Sequence, residues 1–110
     1  MLDGLAGSLE HYMTLLSARQ KLAASNIANV DTPGYKTKDI DFRTELQNAI
    51  QGGSPQIAET PGLATKSDGN NVSLDREARL LAENALRFNF ASNLVKSEFR
   101  MIRTAIQDVK

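Results

Sequence analysis

The sequence predicts an all-α protein in which two long terminal helices pair as an antiparallel coiled coil, joined by a short helix and an irregular loop rich in glycine and proline. Apolar residues recur at helical spacing over residues 2–30 and again over residues 73–109. Between these segments, residues 51–72 hold four of the seven glycines and two of the three prolines, a composition typical of irregular chain. The 110 residues are expected to form one domain, divided into helix 2–30, connecting segment 31–72 and helix 73–109.

The first long helix is predicted from an apolar stripe on alternating three- and four-residue steps. Its members are Leu2, Leu5, Leu9, Tyr12, Leu16, Ala23 and Val30, and two polar residues, Arg19 and Asn26, interrupt the stripe. Small residues make the second half of the helix slim, which either admits another helix at close range or simply reflects good helix propensity. Pro33 ends the helix, because a residue that precedes proline avoids the α conformation.

The connecting segment is predicted to contain turns and a short helix. Residues 32–34 (Thr-Pro-Gly) fit a type II turn, in which proline sets φ and glycine accepts a positive φ. Asp39 or Asp41 is expected to cap the short helix, whose apolar face consists of Phe42, Leu46, Ala49 and Ile50. A second Thr-Pro-Gly lies in the loop, and extended pieces on either side of it, 57–58 and 63–64, would form at most a marginal hairpin.

The second long helix is predicted from apolar residues at strict four-three spacing, interrupted only by Ser92. They are Leu74, Ala78, Leu81, Ala85, Phe88, Val95, Phe99, Ile102, Ile106 and Val109. As one helix this segment would span roughly 54 Å, and its 3.5-residue period predicts a left-handed supercoil with a partner helix. Ser73 or Asp75 is expected to cap its start.

Further apolar residues of this helix lie outside that stripe, namely Leu80, Leu86, Phe90, Leu94 and Met101. Burying a large apolar side chain contributes about 1.5–3 kcal/mol, and the chain has only one other long helix to cover them. We therefore expect neighbouring subunits to cover the remainder; the alternative is that residues 36–72 fold back over them. The candidates for association form what we call the assembly seam: Leu5, Leu9, Leu16, Leu81, Phe88, Val95, Phe99, Ile102 and Ile106.

Composition and charge exclude several classes of function. The 13 basic residues balance the 13 acidic ones, which argues against a nucleic-acid binder and against charge-driven binding to membranes. There are no cysteines, so disulfides, thiolate metal sites and cysteine nucleophiles are absent. Residues 1–5 show no basic region followed by an apolar run, so no cleaved signal peptide is expected. No stretch approaches the roughly 18 apolar residues of a transmembrane helix.

The sequence carries no constellation typical of an enzyme. His11 is the single histidine and has no second ligand at metal-binding spacing. Asp39 and Asp41 are more typical of capping or ion pairing than of general acid–base catalysis, which requires carboxyl groups that converge in a pocket. Phosphate loops, nucleophile elbows and zinc spacings are also missing from the sequence. We therefore predict neither catalytic nor metal-binding residues, no cofactor and no small-molecule substrate.

The most informative stretch follows the first helix and resembles the signature of bacterial flagellar rod and hook proteins. We call its residues the axial motif: Ser25, Asn26, Ile27, Ala28, Asn29, Thr32, Pro33, Gly34 and Tyr35. Two more stretches resemble the proximal rod members of the flagellar basal-body rod family, namely the acidic-aromatic run 37–42 and the start of the second helix at 71–88. The chain is also too short to hold the large inserted domains of hook and distal rod proteins.

The resemblance implies a structural function. Such a subunit would leave the cell through the flagellar type III export apparatus, without a cleaved signal, and would assemble through its terminal helices into the drive shaft within the cell envelope. Its partners would be other copies of itself, other rod proteins, the basal-body junction protein and the export gate. The resemblance also implies that the axial motif sets the angle between helix and loop and docks on adjacent subunits, whereas capping of the helix is the alternative for Asn26 and Asn29. A soluble helical adaptor or secretion chaperone that binds a client helix is the alternative function.

Overall fold

The fold is dominated by two long helices, as the sequence predicts. A computed structural model describes residues 2–48 and 55–108, and the molecule measures 69 × 26 × 17 Å along its principal axes. The elements in chain order are α1 (Leu2–Ala28), β1 (Lys38–Asp39), α2 (Phe42–Asn48), β2 (Ala58–Glu59) and α3 (Leu74–Asp108). The all-α class is confirmed, because the only strands among the described residues have two residues each.

Helices α1 and α3 pack against each other in antiparallel directions. The Asn84 side chain donates a hydrogen bond to the Leu16 carbonyl (3.2 Å), and the Asn26 side chain donates one to Glu77 Oε1 (3.2 Å). As α1 advances from residue 16 to residue 26, its partner therefore recedes from residue 84 to residue 77. This direction of pairing is the one expected for two terminal helices joined by a returning segment.

The face of α3 that meets α1 is displaced by about one residue position from the predicted stripe. Its buried side chains recur every seven positions and form one column along the helix: Glu77, Asn84, Ala91 and Glu98. Of the predicted apolar positions, Leu81, Val95 and Ile102 are half-buried, whereas Phe99 and Ile106 are exposed. The reason for the displacement is the polar contacts, because the hydrogen bonds from Asn84 and to Glu77 bring the polar column, rather than the apolar one, against α1.

The connecting segment forms a small sheet that differs from the predicted hairpin. Ala58 pairs with Asp39 and Glu59 with Lys38 in an antiparallel register, so the strand at 58–59 pairs with residues 38–39 instead of forming the marginal hairpin with 63–64. The pairing continues through Thr60 N, which donates to the Thr37 carbonyl (2.8 Å). Strands of two residues are too short for the local sequence to determine which segments pair. The contacts that hold Thr37 to other parts of the chain decide the pairing.

Both predicted helix caps are present, each as one of two alternatives. Asp41 caps α2, because its Oδ1 accepts from Thr44 N (3.4 Å) and its Oδ2 accepts from Thr44 Oγ1 (2.9 Å). Ser73 caps α3, since its Oγ accepts from Arg76 N (3.2 Å). Of the apolar face predicted for α2, Phe42 and Leu46 are half-buried. Ala49, Ile50 and the start of the glycine-rich loop lie outside the described residues.

The described parts of the connecting segment, residues 36–48 and 55–72, do not fold back over the second apolar face of α3. Phe42 of α2 packs edge-on against Tyr12 (5.5 Å between ring centroids), with the guanidinium groups of Arg19 and Arg87 above its ring. Four apolar side chains farther along α3 remain 42–72% exposed, and we call them the outer stripe: Leu86, Phe90, Leu94 and Met101. Among the described residues, no helix is both long enough and apolar enough to cross a membrane.

Candidate functional site

The axial motif folds as a helix end followed by a tight turn. Asn29 closes the end of α1, because its Nδ2 donates to the Ser25 carbonyl (2.8 Å) and its Oδ1 accepts from Thr32 Oγ1 (3.0 Å). Tyr35 N donates to the Thr32 carbonyl (3.2 Å), and Gly34 has a φ of 76°. These two features fit the predicted type II turn, in which the third residue requires a positive φ.

Asn26 has a different role, which is to join three segments of the chain. Its side chain is 1% exposed. Its Nδ2 donates to the Lys38 carbonyl (2.9 Å) and to Glu77 Oε1 (3.2 Å), and its Oδ1 accepts from Tyr35 Oη and from Lys38 N (both 3.1 Å). An amide offers two donor and two acceptor positions, so the hydrogen-bonding capacity of Asn26 is fully used. Within the subunit, Asn29 therefore caps the end of α1, whereas the side chain of Asn26 bonds to other segments.

Ion pairs continue from Asn26 to the sheet. Glu77 Oε1 accepts from Arg76 (2.7 Å), and the same guanidinium donates to Asp39 Oδ2 (2.8 Å). Asp39 also receives two hydrogen bonds of 3.0 Å from the Arg19 guanidinium. We call these residues, with Asn26 and Tyr35, the polar cluster. It links α1, β1 and the start of α3.

Asp39 is stabilised in its charged form by this cluster. Burial alone would raise the pKa of its carboxyl, but the hydrogen bonds from Arg19 and Arg76, together with one from Ile40 N, outweigh that effect and lower the pKa below its ordinary value. The Asp39 side chain is nearly buried, and both arginines are mostly shielded from water. The charged pairs are therefore poorly screened, and Asp39 favours the folded state when it is ionised.

A pair of asparagines ahead of α3 anchors the loop onto the end of α1. Asn70 Nδ2 donates to the Asn29 carbonyl (2.9 Å) and to the Thr32 carbonyl (2.8 Å). Asn71 Oδ1 accepts from Thr37 N (2.6 Å). Asn70 and Thr37 are fully buried. The turn after α1 is thus bound to the segment that precedes α3.

Two glycines and two lysines complete this anchor. Gly69 has a φ of 88°, and a Cβ placed on it would lie 3.3 Å from the Gly34 Cα, so a side chain would strain both the backbone and the contact. Lys66 Nζ donates to the Val30 carbonyl (2.9 Å), and Lys36 Nζ donates to the Gly69 carbonyl (2.6 Å). Because the Lys66 ammonium group lies at the carboxyl end of α1, it also complements the negative end of the helix dipole.

The structure brings together part of the axial motif and leaves part of it at the surface. Asn26, Asn29, Thr32 and Tyr35 take part in the contacts above, and Ser25 contributes its carbonyl. Ile27 is half-buried, whereas the Ala28, Pro33 and Gly34 residues are exposed. The roles of Asn70, Asn71, Arg76 and Glu77 were not predicted from the sequence. The only signal was the interruption of the α1 stripe by Arg19 and Asn26, because polar residues on a packed face usually have a partner.

The assembly seam is only partly covered within the subunit. Leu16 is buried, and Leu9, Leu81, Val95 and Ile102 are half-buried. Phe88, Phe99 and Ile106 are exposed, and the side chain of Leu5 lies outside the described part of the chain. All three exposed members lie on α3.

Beside these residues, an apolar groove of about 870 Å³ runs between the two long helices. We call it the interhelical groove. It is lined by Glu10, Met13, Thr14, Ser17, Ala18 and Lys21 of α1 and by Phe88, Val95, Glu98, Phe99 and Ile102 of α3. No group of three or more histidine and acidic residues in the described ranges is arranged to hold a metal ion, and His11 is exposed. The groove is suited to a protein side-chain surface more than to catalysis.

Comparison with known proteins identifies the family. The model of the flagella basal body rod protein family matches residues 13–36, which include the axial motif. The flagellar basal body rod protein FlgB of Escherichia coli K12 is 31% identical over 97% of this chain and 98% of its own length. The chain belongs to the flagellar basal body rod proteins. It is therefore a structural protein of the rod and not an enzyme.

Other relatives support the same conclusion for this rod protein. FlgB of Salmonella typhimurium is also 31% identical over 97% of this chain, and FlgB of Borrelia hermsii is 29% identical over 87% of it. The alignment to the Salmonella protein spans 135 positions, whereas this chain has 110 residues. The alignment therefore includes positions of the relative that have no counterpart in this chain.

Proposed function

We propose that the chain is a subunit of the proximal rod, which self-assembles through its terminal helices into the drive shaft that transmits torque for motility. The observation that carries this proposal is the exposure of large apolar side chains along α3. Leu86, Phe90, Phe99, Met101 and Ile106 are each 62–72% exposed. Large apolar side chains exposed on more than one side of a helix are typical of a protein whose interfaces are completed by neighbours.

Rigid coupling between neighbours is what torque transmission requires. A 35-residue helix that packs on α1 over one half and on neighbouring subunits over the other would act as a strut shared between subunits. The polar cluster would hold α1, β1 and α3 at one fixed crossing. The exposed part of the axial motif, with Pro33 and Gly34, would contact an adjacent subunit.

Location and partners follow from the same proposal. The subunit would leave the cell through the type III export apparatus, unfolded and without a cleaved signal peptide, and take its place in the rod on the periplasmic side of the basal body. Its neighbours would be further copies of the chain, other rod proteins, the basal-body junction protein and the export gate. Membership of the rod family and the balanced charge of the chain support this set of protein partners.

The direct test is an in-frame deletion in the source organism, followed by electron microscopy of the basal bodies. We expect loss of rod, hook and filament, and restoration by the wild-type copy. Normal flagella in the deletion strain would contradict the proposal and favour the adaptor or chaperone. Purified protein separates the two as well, because a chaperone should be a folded dimer, whereas a rod subunit should be a monomer with partly disordered terminal segments.

A further inference from the structure

The interhelical groove contains one feature that its apolar lining does not explain. Glu98 projects from α3 against α1 and is only 8% exposed, yet its Oε1 has no hydrogen-bond partner within the described part of the chain. A buried carboxylate oxygen without a partner is destabilising, and a donor that reaches it from outside would remove this penalty. The groove thus combines an apolar surface with a specific requirement for a cationic or donor group beside Glu98.

The opposite side of α3 offers the complementary chemistry. At 3.6 residues per turn, the outer stripe lies on roughly the opposite side of the helix from Phe99, which lines the groove. Exposed Arg100 lies beside Met101 at one edge of this stripe, and both border a shallow depression together with Ser97. The outer stripe therefore presents apolar side chains next to a guanidinium group, which matches an apolar groove next to a carboxylate.

We infer that the outer stripe of α3 in one subunit docks in the interhelical groove of a second copy, with Arg100 of the first donating to Glu98 of the second. This inference rests on the proposed function and specifies one of its interfaces. The apolar residues of the stripe would cover the lining of the groove, and the ion pair would set the register. A buried Arg–carboxylate pair is well suited to that purpose, because it is strongly penalised when either partner is missing.

The two surfaces differ from each other and lie on opposite sides of α3, which determines the symmetry of the contact. Each copy would use its stripe toward one neighbour and its groove toward another. Such a heterologous interface does not close after two copies, and it generates a ring or an open helical assembly. A tubular rod requires this kind of contact.

A charge exchange tests the ion pair. Glu98→Arg alone and Arg100→Glu alone should each weaken association between copies at least about tenfold, whereas the double variant should recover most of it. The readout is the number of intact rods per cell, with Lys96→Glu as the matched control, since Lys96 is another exposed base on α3 outside the stripe. Glu98→Gln, which keeps the side-chain shape, should preserve the helix content of the purified chain. Failure of the double variant to recover, when each single variant folds, would overturn the inference.

Crosslinking tests the contact without relying on a buried substitution. Because the chain has no cysteine, Glu10→Cys at the edge of the groove and Ser97→Cys beside the stripe can be joined by a short bis-maleimide reagent. The chain that carries both should give a ladder of dimers, trimers and larger species in cells. Each single variant should remain monomeric on a denaturing gel, and a pair of Ser67→Cys in the exposed loop with Ser97→Cys should give no ladder.

The outcomes separate this inference from the proposed function. Cells that carry the chain with both Glu10→Cys and Ser97→Cys could be motile and have normal rods, yet give no ladder. That result would overturn the docking of the stripe in the groove and leave the rod assignment intact. Dimers from either single variant would indicate a symmetric contact and overturn it as well. Normal rods in the deletion strain would overturn the proposed function, and this interface with it.

Discussion

The two halves of the helix pair differ in the side chains that they bury and in those that they expose. Near the connecting segment, polar side chains are buried, including Asn26, Thr37, Asn70 and Glu77. Toward the chain ends, apolar side chains are exposed, including Phe90, Phe99, Met101 and Ile106. Among the described residues, the buried apolar side chains are confined to positions from Leu15 on α1 up to Ala91 on α3.

This contrast separates the residues that define the subunit from those that await neighbours. A polar network with many shared hydrogen bonds favours one geometry, because other arrangements leave more buried donors and acceptors without partners. An apolar surface adapts to its neighbours more readily, and its burial contributes roughly 25 cal/mol per Å² only when a partner arrives. We therefore expect substitutions in the polar cluster to affect folding, and substitutions in the exposed apolar half to affect association.

The largest loss of stability is expected from Asn26→Asp. The substitution removes both donors of Asn26 and places a carboxylate 3.2 Å from Glu77 Oε1, so that the free energy of unfolding should fall by at least about 3 kcal/mol. Urea denaturation followed by circular dichroism measures this change. Asn93→Asp, at an exposed position of α3, is the control and should have little effect. Equal effects of the two would show that the cluster does not stabilise the subunit.

A smaller loss is expected from Asp39→Asn, which weakens the ion pairs to Arg19 and Arg76 by about 1.5–3 kcal/mol. The pKa of Asp39 is lowered in the folded state, so its contribution is present above the unfolded pKa and is lost as the pH falls through the folded pKa. The wild-type chain should therefore lose stability below about pH 4. The variant should show a shallower decline over the same range, and Asp31→Asn, at an exposed position, should not.

Gly69→Ala should cost about 1–2 kcal/mol, because both its positive φ and its contact with the Gly34 Cα oppose a side chain. Gly62→Ala provides a matched control. Gly62 also has a positive φ, of 79°, but a Cβ there meets no atom within 4 Å. The difference in thermal midpoint between the two variants isolates the close approach of the two glycines. No difference would mean that this approach does not contribute to stability.

The smallest effect on the isolated subunit is expected from Phe99→Asp, since Phe99 is 65% exposed. Its free energy of unfolding should change by less than about 0.5 kcal/mol, whereas rod assembly and motility should be lost. Phe42→Asp gives the reverse comparison, because Phe42 packs on Tyr12 within the subunit and should be needed for folding. Unimpaired motility of the Phe99→Asp strain would contradict the assignment of Phe99 to the assembly seam.

The sequence predicted the parts of the fold that local periodicity determines. Residues within a few positions of one another determine the two long helices, the caps at Asp41 and Ser73, and the turn at Gly34. The rotation of α3 could not be predicted in this way. It depends on Asn26 and Glu77, which are 51 positions apart in the sequence.

The same limit applies to the candidate site. The axial motif was recognisable because its residues are contiguous, yet the partners that define the roles of Asn26 and Asn29 lie beyond it. The pairing of 38–39 with 58–59 has no signal in the local sequence, since each strand has two residues. Exposure of the outer stripe was foreseen, because one helix cannot cover two faces of its partner.

The central claim is that the polar half folds within the subunit whereas the apolar half waits for neighbours. Hydrogen exchange of the purified monomer, resolved by mass spectrometry, tests this claim most directly. We expect slow exchange over residues 15–40 and 69–91, and fast exchange over residues 2–12 and 93–108, where few apolar contacts protect the helices. Uniformly slow exchange along both long helices in a monomer would contradict it.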